Sequence, residues 1–131
     1  MPDPIDQMLA ARTIAIVGLS DEPSRVSNQI GRYLHEHGYA ITPINPQCAE
    51  VFGIASVASL TELKGPPDLV LVFRRPGFCG EVARQAVELG AKGLWLQSGI
   101  TNVEAKETCA AAGISFVEDR CIYVEHGRRR R

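Results

Sequence analysis

The chain has 131 residues, 45% apolar and 22% charged, with a net charge of −1. That size fits a single domain with a real core, and that composition excludes an intrinsically disordered chain. The apolar runs fall well short of the ~20 residues that cross a bilayer, and the acidic start MPDPIDQMLA lacks the basic opening of an export signal, so the cytosol is the expected compartment.

Ile5–Arg12 reads as a short leading helix with Asp3 or Pro4 at its start. Thr13–Gly18 is a β-branched run that stops at glycine, the pattern of a buried first strand. Ser24 is expected to cap a helix that runs to about His37, with Val26, Ile30 and Leu34 as its inward stripe and Gly38 as its stop. Tyr39–Ile44 is a second strand, broken by Asn45-Pro46. Glu50–Ile54 is a small extra strand, and Ser56–Lys64 a short helix closed by Gly65-Pro66-Pro67.

Asp68–Phe73, DLVLVF, is apolar on both faces, which suits a central parallel strand covered by helices on either side. Pro76 and Gly77 open a helix to Leu89, with Phe78, Val82, Ala86 and Leu89 inward. Lys92–Gln97 is the fourth strand. Thr101 or Asn102 caps a helix through Ala112, Ile114–Val117 is the fifth strand, and Cys121–Val124 extends or follows it. Strands alternating with helices predict an α/β, Rossmann-like fold: a three-layer, doubly wound, mainly parallel sheet of about five strands. Residues 1–127 form that single domain. Arg128–Arg131 form a basic tail, expected to be solvated and disordered; without it, ten basic residues face fifteen acidic ones. Four arginines with no companion basic face or aromatic platform do not make a nucleic-acid surface.

Cys48, Cys79, Cys109 and Cys121 are widely spaced, with no CxxC and no zinc spacing among His35, His37 and His126. Each is expected as a reduced thiol, and no metal site or catalytic set is visible. Cys121 and His126 lie near one another in sequence, but one such pair does not define a nucleophile and its base.

Ligands of doubly wound sheets bind beyond the carboxyl ends of the strands, where strand order reverses. The residues that follow the strands are therefore the candidates. Gly18, Leu19, Ser20 and Arg25 follow the first, at a helix start whose unpaired amides favour an anion. For Gly18 a plain turn, for Ser20 a turn hydrogen bond and for Arg25 an ion pair with Asp21 or Glu22 are the competing roles. Asn45 and Pro46 follow the second strand. Phe73, Arg74 and Arg75 follow the third, and two adjacent guanidiniums suit bidentate phosphate contact unless an acid holds one of them. Gln97 and Gly99 follow the fourth; Trp95, alternating with Leu94 and Leu96, belongs to the core. Asp119, Arg120 and Cys121 follow the fifth. The G-x-G-x-x-G dinucleotide fingerprint, the acid that would hold an NAD ribose and the phosphate-loop GK[ST] are all missing.

Five segments in one order, VGLSDEPSR, GYAITPINP, DLVLVFRRP, GAKGLWLQSGI and EDRCIYVE, resemble the CoA-binding domain family of small Rossmann proteins, the YccU-like group. That fold is similar to the amino-terminal domain of the succinyl-CoA synthetase α subunit. The resemblance covers about Thr13–Glu125 and implies bound coenzyme A. It would place Gly18, Leu19, Ser20 and Arg25 at the pyrophosphate or 3′-phosphate, and Asn45 and Pro46 by the adenosine. Phe73, Arg74 and Arg75 would flank adenine and phosphate. Gln97 and Gly99 would face the pantetheine, with Cys121 near the thiol end. It implies binding of CoA or acyl-CoA without catalysis by this chain. A small NAD(P)-binding oxidoreductase is one alternative. A redox-responsive interaction protein that forms a mixed disulfide with CoA through Cys121 or Cys79 is another. A protein partner or a second copy stays open.

Overall fold

The computed structural model describes residues 3–129. In chain order they form α1 (Pro4–Leu9), β1 (Thr13–Val17), α2 (Val26–Glu36), β2 (Ala40–Ile44), β3 (Glu50–Val51), β4 (Ile54–Ala55), β5 (Leu69–Val72), α3 (Cys79–Leu89), β6 (Gly93–Leu96), α4 (Val103–Ala112), β7 (Ser115–Val117) and α5 (Ile122–Arg129). Five strands make one parallel sheet in the order β2-β1-β5-β6-β7, and β3-β4 is a separate small hairpin. Strand order reverses between β1 and β5: β2 lies on one side of β1, and β5, β6 and β7 follow on the other.

Alternation along the strands builds two cores. Ala15, Val17, Val70, Val72, Leu94 and Leu96 point to one face, where α3 and α4 bury Val82, Ala83, Ala86, Ala105 and Cys109. Ile14, Ile16, Leu69, Leu71 and Trp95 point to the other, against Met8 of α1, Ile30 and Leu34 of α2 and Ile122 of α5. A strand sandwiched in this way must be apolar at every position, which is why β5 reads LVLV.

Asp68 anchors the amino edge of the sheet. Its Oδ2 accepts from the N–H groups of Arg12 (2.9 Å) and Thr13 (3.2 Å), and Lys92 lies 3.5 Å from Oδ1. The two backbone bonds, more than Lys92, hold the carboxyl below its ordinary value of 3.8. A lowered folded-state value means that the stabilisation is present above the unfolded value and is lost as pH falls through the folded one. Acid titration below about pH 4 is expected to cost the wild type on the order of 1 kcal/mol at this site after solvent screening. An Asp68→Asn protein compared by chemical denaturation at pH 7 and pH 3 should show a smaller acid loss; an equal loss in both proteins would refute the assignment.

Several elements depart from the sequence expectations. Helix α2 starts one residue past Arg25, which has no side-chain capping bond, so Ser24 is not its cap. Val26, the first helical residue, is 62% exposed rather than part of the buried stripe. The expected Ser56–Lys64 helix is a single 3₁₀ turn at Leu60–Glu62, started by Ser59 Oγ accepting from the Thr61 N–H. Phe78 is not inward: it is 47% exposed. The Cys121–Val124 segment is not strand but opens α5. Arg128 and Arg129 belong to α5 instead of a disordered tail, because Arg129 pairs with Asp3, Asp6 and Glu125. Arg130 and Arg131 lie outside the described residues. Asn102 does cap α4, its Oδ1 accepting from the Ala105 N–H at 2.7 Å.

Candidate functional site

The carboxyl ends of β1 and β5 meet at the reversal of strand order, and Gly18 makes the meeting possible. Its φ of +86° is left-handed, and a Cβ there would sit 2.5 Å from the Phe73 carbonyl oxygen. The Gly18 N–H donates to Ile44 O at 2.9 Å. Gly18 thus brings three strand exits together, and its own amide is already committed.

The loop that follows uses most of its polar groups internally. Leu19 is fully buried, and its carbonyl accepts from Asn45 Nδ2 at 3.0 Å. Ser20 Oγ accepts from the Glu22 N–H, and its own N–H donates to Ser27 Oγ. Asn45 also closes a turn, its Oδ1 accepting from the Gln47 N–H at 2.8 Å. Ser20 and Asn45 therefore help to shape this edge, and the Ser20 hydroxyl keeps its own hydrogen to donate. Arg25 pairs with Glu22 at 3.3 Å, both side chains mostly exposed, and such a pair contributes little to stability. Among the described residues, the N–H groups of Val26, Ser27 and Asn28 at the start of α2 have no acceptor. They are the anion-seeking amides of this edge.

The guanidiniums beyond β5 are differently placed. Arg74 is half-buried and lies 4.3 Å over the ring of Phe78. No carboxylate pairs Arg74 or Arg75 among the described residues, so neither is held by a neighbouring acid. Arg74 lines two clefts. One, of about 240 Å³, is bounded by Ile44, Pro46, Leu60, Arg74, Phe78 and Gln85. The other, of about 430 Å³, is bounded by Val26, Ile30, Phe73, Arg74, Gln97 and Cys121. A further depression of about 310 Å³ lies at the opposite edge, by Met8, Asp68 and Lys92. It is remote from the reversal point and lacks that edge's unpaired arginines.

Gln97 is 4% exposed yet lines the larger cleft. Its Oε1 accepts from the Ile122 N–H at 2.7 Å, while its Nε2 has no partner among the described residues. Trp95 Nε1 donates to Arg120 O at 2.8 Å and so fixes the chain just before Cys121. The Gly99 N–H donates to Asp119 Oδ1 at 2.7 Å, which joins the loops after β6 and β7. His126 hydrogen-bonds the Tyr33 hydroxyl through Nδ1 at 2.6 Å.

Pro46, Phe73, Arg74, Gln97 and Cys121 thus border the paired clefts, as their positions after strands predict. Val26, Ile30 and Phe78 border them too, but as apolar residues they read as core in the sequence. Only the Arg74-x-x-x-Phe78 spacing across a turn carried a trace of the stacked pair. The set suits a phosphorylated adenosine carrier. It offers unpaired cations and amides for phosphates, a mixed recess beside Pro46 and Phe78 that also carries Ser59, Glu81 and Gln85, and a second cleft with one free amide donor.

A doubly wound α/β domain with two clefts that share Arg74 at the carboxyl edge of its sheet is what fold and site define. Residues 12–127 match the profile of the CoA binding domain family, and the chain belongs to that family. It is 40% identical over 116 residues to the protein YneT of Bacillus subtilis, covering 88% of this chain and 86% of YneT. It is 28% identical over 91 residues to the alpha subunit of ADP-forming acetate–CoA ligase II of Pyrococcus furiosus. That match spans 69% of this chain but 20% of the subunit. Among solved structures, a hypothetical protein from Pyrococcus horikoshii OT3 superposes with a TM-score of 0.90 at 34% identity, covering 95% of this chain and 88% of that one.

Proposed function

We propose that this chain binds coenzyme A or an acyl-CoA across the carboxyl edge of its sheet, as a carrier or sensor without catalysis of its own. The observation that carries this is Arg74, without an acid partner among the described residues and lining two clefts at the strand-order reversal of a CoA binding domain. Arg74, Arg75 and the open amides of α2 would take the phosphates. The recess by Pro46 and Phe78 would take the adenine side, and the cleft between Gln97 and Cys121 the pantetheine arm. CoA supplies the thiol; the chain supplies orientation and charge. Among the described residues no helix is long and apolar enough to cross a membrane.

The test is calorimetric titration under reducing conditions with CoA, 3′-dephospho-CoA and NADPH. CoA is expected to bind at least about tenfold more tightly than the dephospho form, since one charge-assisted contact is on that scale. Equal binding of the two would remove the 3′-phosphate from the site. NADPH binding as tightly as CoA would favour a nicotinamide enzyme instead. Mass spectrometry of nucleotide released on denaturation gives an independent check.

A further inference from the structure

Four thiols are distributed over this fold, and their surroundings differ sharply. Cys79 and Cys109 are fully buried between the sheet and the α3–α4 layer. Burial raises the Cys79 thiol and pushes Cys109 up to about 11, so neither is a ready nucleophile. Cys48 is half-buried on the β2 side, with its Sγ 3.9 Å from the Leu19 carbonyl. Cys121 is half-buried too, but it lines the larger cleft.

Two independent features surround Cys121. Its carbonyl accepts from the Glu125 N–H at 3.0 Å, so the residue stands at the start of α5. The N–H groups of Tyr123 and Val124 have no acceptor among the described residues. On the facing wall, Gln97 is nearly inaccessible, yet it keeps an amide donor without a partner. That donor opens onto the cleft, where it can hydrogen-bond water or a guest beside Cys121. The bond from the Ile122 N–H to Gln97 ties the backbone beside Cys121 to the amide across the cleft.

We propose that Cys121 captures the thiol end of the ligand as a mixed disulfide, which makes the site responsive to oxidation; this rests on the CoA reading above. The co-reactant is a symmetric disulfide of the ligand, CoA disulfide. The Cys121 thiolate, its proton released to solvent, attacks one sulfur of that disulfide. The Cys121–S–S–CoA bond forms, the original S–S bond breaks, and one CoA leaves as a thiolate that takes up a proton. A free thiol reverses the exchange. The cleft contributes concentration: the adenosine end docks first and holds the disulfide beside Cys121.

The experiment incubates the reduced wild-type chain with CoA disulfide and reads intact mass without reductant. A gain of one CoA mass, removed by dithiothreitol, is expected for the wild type and for Cys48→Ser, and no gain for Cys121→Ser. Peptide mapping of the wild-type adduct must place the bond at Cys121, which keeps the test sound if Cys121→Ser fails to fold. Glutathione disulfide should react at least tenfold more slowly, and excess adenosine 3′,5′-bisphosphate should slow the CoA reaction. No adduct, an adduct at Cys48, or equal rates with glutathione disulfide would overturn the proposal. Titration of the reduced wild type with reduced CoA separates the two failures. Binding without adduct formation sinks the capture alone, whereas no binding sinks the underlying reading.

Discussion

Replacing Arg74 with alanine is expected to weaken CoA binding by about 10- to 100-fold, the equivalent of one charge-assisted bond of roughly 1.5–3 kcal/mol. Three features point to this side chain above the other cations. It is half-buried, it has no acid partner among the described residues, and it borders both clefts. Its guanidinium carbon lies 4.3 Å over the Phe78 ring, a contact that restrains the side chain, so less freedom is lost when an anion is gripped. Arg74→Lys should recover part of the affinity, because the charge survives but the planar fork does not. Arg25→Ala is the comparison. Arg25 is exposed and already paired with Glu22, and its removal is expected to cost less than about 1 kcal/mol. Calorimetry at fixed ionic strength decides the matter. Equal losses at Arg74 and Arg25 would show that the binding energy resides elsewhere.

The largest stability effect is expected at Trp95. The indole is fully buried in the layer shared with Leu71 and Ile122, and its N–H is satisfied by the Arg120 carbonyl. Trp95→Ala should destabilise the fold by about 3–5 kcal/mol, a fall in melting temperature on the order of 10–20 °C for a domain of this size. Trp95→Phe keeps much of the volume and removes the hydrogen bond. It leaves the Arg120 carbonyl without that donor, at a further cost of about 1–3 kcal/mol. Thermal denaturation of the two variants separates packing from hydrogen bonding. A Trp95→Ala protein that melts within a few degrees of the wild type would contradict the buried placement. Loosening the Arg120 peptide should also reach Cys121, the next residue, so the phenylalanine variant links core and site in one measurement.

The sheet was legible because its strands are covered on both faces. A run such as Leu69–Val72 has no polar position to spare, and the intervening amphipathic helices leave parallel crossovers as the economical connection. Helix starts were harder to place. Ser24 looks like a cap by residue type, but Arg25 takes the position with no side-chain bond, and Val26 is carried out over the cleft. Cys121-Ile122-Tyr123-Val124 has the composition of a strand. It is helical because Ile122 is buried against the sheet, while Arg129 ties the far end to Glu125 and α1. Those partners are more than a hundred residues away for Asp3 and Asp6, and local propensity does not register them.

For the site, the strand-end rule picked out residues that the fold does gather at one edge, but not the division of labour along it. Ser20 and Asn45 are polar residues at strand exits, just as Arg74 and Gln97 are. Ser20 is engaged locally, with Glu22 of its own loop and Ser27 at the start of α2, while Asn45 reaches the Leu19 carbonyl, a pairing that exists only once β1 and β2 lie side by side. Val26 and Ile30 present the opposite case. An apolar residue in a sequence says nothing about whether helix or guest will cover it.

The amide of Gln97 has a sense of direction that cannot be reversed. Were it turned over, its NH₂ would confront the Ile122 N–H, two hydrogens nose to nose where there is now a 2.7 Å bond. The backbone at the head of α5 thereby fixes which end of the amide is left unpaired. A guest entering that cleft is expected to meet an N–H donor set in place by the winding of the chain, before any charged residue at the rim takes part.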